Sequence, residues 1–246
     1  MSAGLKPVAH LYEVIDGTWP AAECQTIGPW MIRNGQDGGQ RVSAATALGA
    51  VTAADITSAE HAMQSLGQPR LFQIRAGDEA LDQQLDARGY VVVDPVNLWL
   101  APVADLATDR PPPVTSFSIW PPLAIQREIW LTGGIGPGRL AVMERAEGAK
   151  VAILGRVDDS PAGTAFVAIH DGTAMLHALE VLPKLRRKGL ARWILRQAAF
   201  WALENGAQHF SVLCTKANEP ANALYSKLGM SFAGEYHYRR HQDDLS

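Results

Sequence analysis

The sequence predicts a mixed α+β fold: a mostly antiparallel central sheet flanked by helices, preceded by a second, smaller α+β domain. Three observations support this prediction. Apolar residues make up 47% and charged residues 19% of the 246 residues, which favours a packed core over disorder. Strand-like runs follow one another after residue 138, and from Gly189 the apolar residues change to helical spacing. Three consecutive prolines near the middle of the chain indicate a domain boundary.

The boundary is predicted within residues 107–115, ATDRPPPVT. Prolines donate no hydrogen bond to a helix or a sheet and hold the chain extended, which suits a linker. The predicted domains are therefore residues 1–106 and residues 115–246.

The C-terminal half is predicted to begin with a short helix over residues 122–131, which the following glycines end. Turn residues then separate strand-like runs in the rhythm of an antiparallel meander, over residues 139–145, 150–157, 164–170 and 174–182. The remaining predicted elements are a helix from Gly189 to residue 205, a strand over 208–214, a helix over 218–228 and a strand over 231–239.

The end of the N-terminal half has the same order of elements as the end of the chain. A strand, a helix, Gly89 and a second strand occupy residues 70–100, and a strand, a helix, Gly229 and a strand occupy residues 209–239. An internal duplication is one interpretation. Because strand-helix-strand units are common, a coincidental similarity is the other.

Composition narrows the function classes. A net charge of -3 gives no overall attraction to nucleic acid or to an anionic membrane. The N-terminus lacks the pattern of a signal peptide and no apolar run reaches about 18 residues, so a cytoplasmic protein is expected. Cys24 and Cys214 lie far apart without histidines at ligand spacing, so we expect no metal site and two small core thiols.

A basic loop precedes the helix that starts near Gly189. The first turn of a helix carries unbonded N–H groups and the positive end of the helix dipole, so it attracts anions. Gly189 and Ala191 leave no bulk there, and cations surround them: Arg186, Arg187, Lys188 and Arg192. A phosphate site and a solvated basic helix end are both open interpretations. Cations at a helix N-terminus are unfavourable unless an anion lies between them and the dipole, which favours a ligand.

Two motifs in this half resemble a known family. Arg186, Gly189 and Ala191 form an Arg-x-x-Gly-x-Ala pattern similar to the acetyl-CoA signature of the GCN5-related N-acetyltransferase (GNAT) superfamily. Residues 218–230, NEPANALYSKLGM, resemble the family's Asn-x-x-Ala-x-x-Leu-Tyr-x-x-x-Gly-[Phe/Met] segment. The resemblance covers about residues 139–240. The N-terminal half, which has no such signature, faintly resembles the degenerate copy found in tandem members.

The resemblance implies acetyl-CoA as the cosubstrate, with no metal. Two neighbouring strands, ending near Val181 and Cys214, would splay apart and admit the pantetheine arm as an added strand. Backbone groups of Val181 and Leu182 would bind that arm, and Asn218 would bond it or fix its loop. The pyrophosphate cradle implied by the motif comprises Arg186, Arg187, Lys188, Gly189, Leu190, Ala191 and Arg192.

The implied reaction moves an acetyl group to a primary amine by direct attack through a tetrahedral intermediate. An alkylamine of pKa about 10 attacks only when neutral, so a base must take its proton. Glu180 is the first candidate, His177 the second, and a water held by the backbone the third. The Val181 or Leu182 amide would stabilise the oxyanion. Tyr225 stands where the family keeps its general acid, although a packing aromatic is the alternative.

Two other function classes share some of these sequence features. A non-catalytic acyl-CoA-binding or regulatory protein would keep the cradle without turnover. A nucleic-acid-binding helix over residues 186–196 is disfavoured, because the helix becomes apolar and then acidic at Glu204. The expected partner is a small-molecule or peptide amine, without nucleic acid or membrane, and the expected state is a monomer or homodimer.

Overall fold

The computed structural model describes residues 7–245. The helices are α1 (Val8–Thr18), α2 (Ala53–Ser65), α3 (Glu79–Asp86), α4 (Val103–Leu106), α5 (Ala124–Thr132), α6 (Pro137–Arg145), α7 (Leu190–Glu204) and α8 (Glu219–Lys227). The strands are β1 (Glu23–Ile27), β2 (Trp30–Asn34), β3 (Thr46–Ala47), β4 (Leu71–Ile74), β5 (Tyr90–Pro102), β6 (Ser116–Ile119), β7 (Lys150–Val157), β8 (Ser160–His170), β9 (Thr173–Val181), β10 (His209–Thr215) and β11 (Ser231–His241). None of the described helices is both long and apolar enough to cross a membrane.

The chain divides into two compact units that are discontinuous in sequence. The first contains residues up to Pro20 together with Leu98–Cys214 and Glu219–Ala233. The second contains Ala21–Asn97, Thr215–Asn218 and the residues from Gly234 onward. Strands β5, β10 and β11 contribute residues to both units. Residues 107–115 form no helix or strand, as predicted, but lie within the first unit. The division into an N-terminal domain, residues 1–106, and a cofactor-binding domain, residues 115–246, stays a prediction.

The first unit is built on a sheet in the order β5, β10, β9, β8, β7, β6. Strands β6 to β9 pair antiparallel in sequence order, and β10 pairs parallel with β9. Helix α7 packs on this sheet through a buried face that includes Leu190, Ile194 and Ala198, a spacing of one helical turn. Helix α1 packs against β8 and β9.

The meander differs from prediction in two elements. Residues 139–145 were expected to form a strand but lie in α6, and β6 is the strand that was missed. Pro137 occupies the first helical position after Gly136, where a missing N–H costs nothing. Val142, Met143 and Ala146 are buried, which is the spacing of a helix face and not of a strand.

The second unit has a separate core under a three-stranded antiparallel sheet, β1-β2-β3, and the paired strands β4 and β11. Trp30, Phe72 and Tyr90 are the largest side chains of this core. Cys24 is exposed on the edge strand β1, so the prediction that both cysteines are core residues is wrong for Cys24.

The two predicted strand-helix-Gly-strand segments are both present. Gly89 and Gly229 follow α3 and α8 with φ angles of 81° and 84°, a left-handed conformation that glycine adopts without steric cost. The segments share this local structure. Descent of one from the other, as a degenerate copy, stays a prediction.

Candidate active site

Strands β9 and β10 separate along their length. Their parallel register runs from the Thr173–His209 pair to the Leu176–Val212 pair, and no further pair is formed by the described residues. Strand β9 continues to Val181 and remains paired with β8 on its other side. Residues 177–181 therefore present one backbone edge to an opening, which is the shape that accepts an extended ligand as an added strand.

A β-bulge in the β8–β9 pairing lies where β9 begins to separate from β10. The β8–β9 register shifts between Thr164 and Phe166, and Ala178 takes a left-handed φ of 52°. The indole Nε1 of the fully buried Trp130 donates to the Ala178 carbonyl at 2.8 Å. Helix α5 is thereby fixed to the bulge. The sequence did not predict roles for Ala178 and Trp130. A bulge leaves no local sequence pattern, and neither does a hydrogen bond between residues far apart in the chain.

The two amides predicted to stabilise an oxyanion have different partners. The Leu182 N–H donates to the Ala162 carbonyl at 2.8 Å, so β8 engages it. Because successive residues of a strand point their backbone groups to opposite sides, the Val181 N–H and C=O face away from β8. The Val181 carbonyl accepts from Arg186 Nε at 2.9 Å. Of the two predicted donors, Val181 is the one directed to the opening.

Glu180, the first candidate base, has each carboxylate oxygen in a defined contact. Arg186 Nη2 donates to Oε1 at 3.0 Å, and Oε2 lies against the backbone of Gly133. The Glu180 side chain is only 16% exposed, so these contacts define where a proton acceptor would sit.

His177, the second candidate base, lies in a packed pocket. Its side chain is buried between the rings of Trp19 and Phe166, and its Nε2 lies 2.8 Å from Thr18 Oγ1. The Thr18 hydroxyl donates its proton to the Val14 carbonyl at 2.6 Å, so its oxygen accepts the Nε2–H. These contacts favour a structural role for His177, and Glu180 stays the first candidate base.

A Thr18→Val variant tests that assignment. It removes the acceptor for a buried N–H, which should lower the free energy of unfolding by about 1–3 kcal/mol. Acetyl-CoA affinity should not change. Urea denaturation and calorimetry measure the two quantities. Thr132→Val is the matched control: its hydroxyl bonds the Glu128 carbonyl on an exposed helix face, and the expected change is within about 0.5 kcal/mol. Equal, small effects of both substitutions would refute the structural role of His177.

The predicted cradle is the start of α7. A short 3-10 turn, Pro183–Leu185, leads to Arg187 and Gly189, which adopt left-handed φ angles of 66° and 78°. A Cβ at Gly189 would meet no atom within 4 Å, so the space in front of the helix N-terminus is open. Leu190 is a core residue and offers only its backbone, while Ala191 is partly buried. This geometry fits an anion at the first turn.

Three cradle cations are paired with carboxylates: Arg186 with Glu180 (3.0 Å), Lys188 with Asp158 (2.5 Å) and Arg192 with Asp109 (3.2 Å). Arg187 is exposed and, in the described part of the chain, forms no ion pair. The Lys188 and Arg192 pairs are exposed, and exposed pairs contribute about 0–1 kcal/mol each. A phosphate of higher charge can therefore displace the carboxylates at small cost, and these pairs do not argue against an anion site.

Asp158→Asn should release Lys188 and tighten acetyl-CoA binding by a factor of about 2–5 at low salt, since an exposed pair holds no more than about 1 kcal/mol. Because salt screens such charges, the gain should fall as ionic strength rises. Asp159→Asn removes the same charge from the neighbouring residue, which pairs with Arg156 instead, and serves as the control. Weaker binding of the Asp158 variant in calorimetry would contradict the role of Lys188.

Tyr225, the candidate acid, lies on α8 and is 4% exposed. Burial raises the pKa of its phenol, and the nearby Cys214 raises it further. Burial likewise raises the pKa of the Cys214 thiol to about 11. Both groups are therefore protonated at neutral pH, as a proton donor and a packing thiol require. The Trp99 ring lies beside Tyr225, and its Nε1 donates to Asn222 Oδ1 on the same helix at 3.0 Å.

Asn218 lies in the second unit, one residue before α8. It is exposed, and its N–H donates to the Thr215 carbonyl at 3.0 Å, which closes a turn at the end of β10. This placement fits a residue that shapes the turn, and a contact with the cofactor remains a proposal.

Comparison with known proteins shows two similarities that cover the candidate site. Residues 117–230 match the model of the acetyltransferase (GNAT) family. Over 237 residues the chain is 28% identical to YobR, an uncharacterized N-acetyltransferase of Bacillus subtilis, covering 90% of this chain and 94% of that protein. The match to the acetyltransferase (GNAT) family falls on the part of the chain that contains both sequence motifs, as those motifs predicted.

Two further similarities concern the fold and one short segment of the chain. A GCN5-related N-acetyltransferase from Kribbella flavida has the same fold, with a TM-score of 0.72, 21% identity and 95% coverage of both chains. The predicted α+β fold with a mostly antiparallel sheet is thereby confirmed. A 56-residue segment, 23% of this chain and 30% of the other, is 41% identical to a streptothricin acetyltransferase from Streptomyces lavendulae. The described residues include no group of three or more His, Cys, Asp or Glu side chains that could hold a metal ion.

Proposed function

We propose that the protein is an acetyl-CoA-dependent N-acetyltransferase that acts on a primary amine. The observation that carries the proposal is the open edge of β9, residues 177–181, which leads within eight residues to the uncovered helix start at Gly189. An extended arm that ends in a pyrophosphate needs these two features in this order. Their proximity in the chain favours a single ligand that occupies both.

In this proposal the pantetheine arm lies along the open edge of β9 and bonds backbone groups that include the Val181 carbonyl. The pyrophosphate accepts hydrogen bonds from N–H groups at the start of α7. The cations of the cradle leave the carboxylates with which they are paired and bind phosphate oxygens instead. Arg186 bonds both Glu180 and the Val181 carbonyl. Its transfer to a phosphate would therefore release the candidate base as the cosubstrate binds.

The chemistry assigns one role to each residue. The amine nitrogen attacks the thioester carbonyl carbon, and the carbonyl electron pair moves to oxygen, where the Val181 N–H stabilises it. Glu180 takes the amine proton, directly or through a water. The carbonyl then re-forms as the C–S bond breaks, and Tyr225 donates its proton to the departing thiolate. The products are an N-acetyl amide and coenzyme A.

The test combines binding with turnover. Acetyl-CoA is titrated into the intact protein by calorimetry, and thiol release is then followed with a panel of polyamines, amino acids, peptides with N-terminal or lysine amines, and streptothricin. Each amine is matched with its alcohol analogue, which shows whether the acetyl group is transferred to nitrogen and not to oxygen. Binding with amine-dependent thiol release supports the proposal. Binding without release by any amine identifies the non-catalytic acyl-CoA-binding alternative.

A further inference from the structure

Gly133 ends α5 in a conformation that does not require glycine. Its φ of -86° and ψ of 8° are accessible to other amino acids, and its N–H bonds the Ile129 and Trp130 carbonyls as an ordinary helix end does. The backbone therefore gives no reason for a glycine at this position.

The space beside Gly133 does give a reason. A Cβ built on Gly133 would lie 2.7 Å from Cγ and 2.5 Å from Cδ of Glu180, and would contact Oε2 as well. Real Cβ atoms essentially never approach another atom closer than 3.0 Å. Any other residue at position 133 is thus incompatible with the observed position of the Glu180 carboxylate.

Neither partner can move away as a whole. Trp130, one turn before Gly133, is fully buried and donates to Ala178, which fixes α5 against β9. The backbone of Glu180 is held by its pairing with Thr164 on β8. An added methyl group must therefore be accommodated by rotation of the Glu180 side chain away from its present place.

We infer that Gly133 is a positioning residue for Glu180. It limits the place of Oε2 by close contact, and this limit remains when Arg186 leaves Oε1 for a phosphate of the cosubstrate. The inference rests on the proposed function, in which Glu180 accepts the amine proton. It explains why a glycine stands at a helix end whose conformation does not demand one.

Gly133→Ala should lower kcat by about 10–10²-fold, the cost of misplacing a reacting group by roughly an ångström. The dissociation constant of acetyl-CoA and the unfolding midpoint should change much less. Gly136→Ala is the matched control. Gly136 lies in the same loop with an ordinary φ of -89°, and a Cβ there would meet no atom within 4 Å, so wild-type kcat is expected.

A double-mutant cycle distinguishes positioning from a general structural effect. If Gly133 acts through Glu180, the Gly133→Ala/Glu180→Gln variant should be no slower than Glu180→Gln alone. Multiplied losses would overturn the inference, as would wild-type turnover of Gly133→Ala beside a slow Glu180→Gln. Wild-type turnover of Glu180→Gln would remove the base and this inference with it, while amine-dependent acetyl transfer would still support the proposed function.

A crystal structure of Gly133→Ala supplies a readout that does not depend on activity. The Glu180 carboxylate should be rotated away from position 133, with its bond to Arg186 lost or lengthened. An unmoved carboxylate would overturn the inference.

Discussion

Gly189→Glu is expected to abolish acetyl-CoA binding. Gly189 has a left-handed φ of 78°, and the space beside it is open. A glutamate there would place both bulk and a negative charge where the pyrophosphate is proposed to lie, at the start of α7. Loss of a bidentate or charge-assisted contact and the added repulsion together should weaken binding by more than about 10³-fold, beyond calorimetric detection.

Two variants separate charge from backbone strain. Gly189→Ala carries the cost of a left-handed conformation, about 1–2 kcal/mol, without bulk or charge. Gly189→Gln has the size of glutamate without its charge. Affinity should fall in the order Ala, Gln, Glu, with all three proteins folded by circular dichroism. A folded Gly189→Glu variant with unchanged affinity would show that the phosphates bind elsewhere.

Tyr225→Phe is expected to lower kcat by about 10²-fold, the lower end of the range for general acid catalysis. The ring and its packing remain, so stability and acetyl-CoA affinity should change little. The lower end is expected because a phenol with a raised pKa is a weak acid toward an alkyl thiolate of pKa about 8.5. Transfer of its proton to the departing sulfur is therefore uphill, which limits the expected loss to this end of the range.

The pH profile adds a second observable. Because burial raises the pKa of Tyr225, the hydroxyl remains protonated throughout pH 7 to 9, and no loss of turnover from its ionisation should occur there. Tyr90→Phe is the control: it removes a buried hydroxyl that bonds Glu60 at 2.7 Å in the second unit and should lower stability without lowering kcat of the folded protein. Wild-type turnover of Tyr225→Phe across this pH range would make Tyr225 a packing residue and water the acid.

The strand, loop and helix start that form the proposed cradle could be predicted from sequence because their signals are local. The apolar strand, the basic loop and the small residues at the helix start are consecutive, and each has a physical consequence that holds wherever the segment lies. The same holds for Gly229, which ends α8 in the left-handed conformation expected of a helix terminator. The order of strands and helices from Lys150 onward follows from such local patterns.

The features that shape the reacting centre could not be predicted in this way. The separation of β9 from β10 is visible only in their register, and the bulge at Ala178 puts a non-glycine residue in a left-handed conformation. The contact of Gly133 with Glu180 joins residues 47 positions apart. Thr18, which bonds His177, comes from a helix that precedes the whole second unit in sequence. Tertiary packing brings these residues together, and no short motif encodes it.

The most direct measurement is the fate of an isotopically labelled acetyl group. Intact protein is incubated with labelled acetyl-CoA and the amine that gives the fastest thiol release, and the products are separated by mass. The label is expected on the amine nitrogen in one-to-one proportion to coenzyme A released, with no transfer by Gly189→Glu. Label that stays in acetyl-CoA with every amine, or appears only as free acetate, would contradict an N-acetyltransferase.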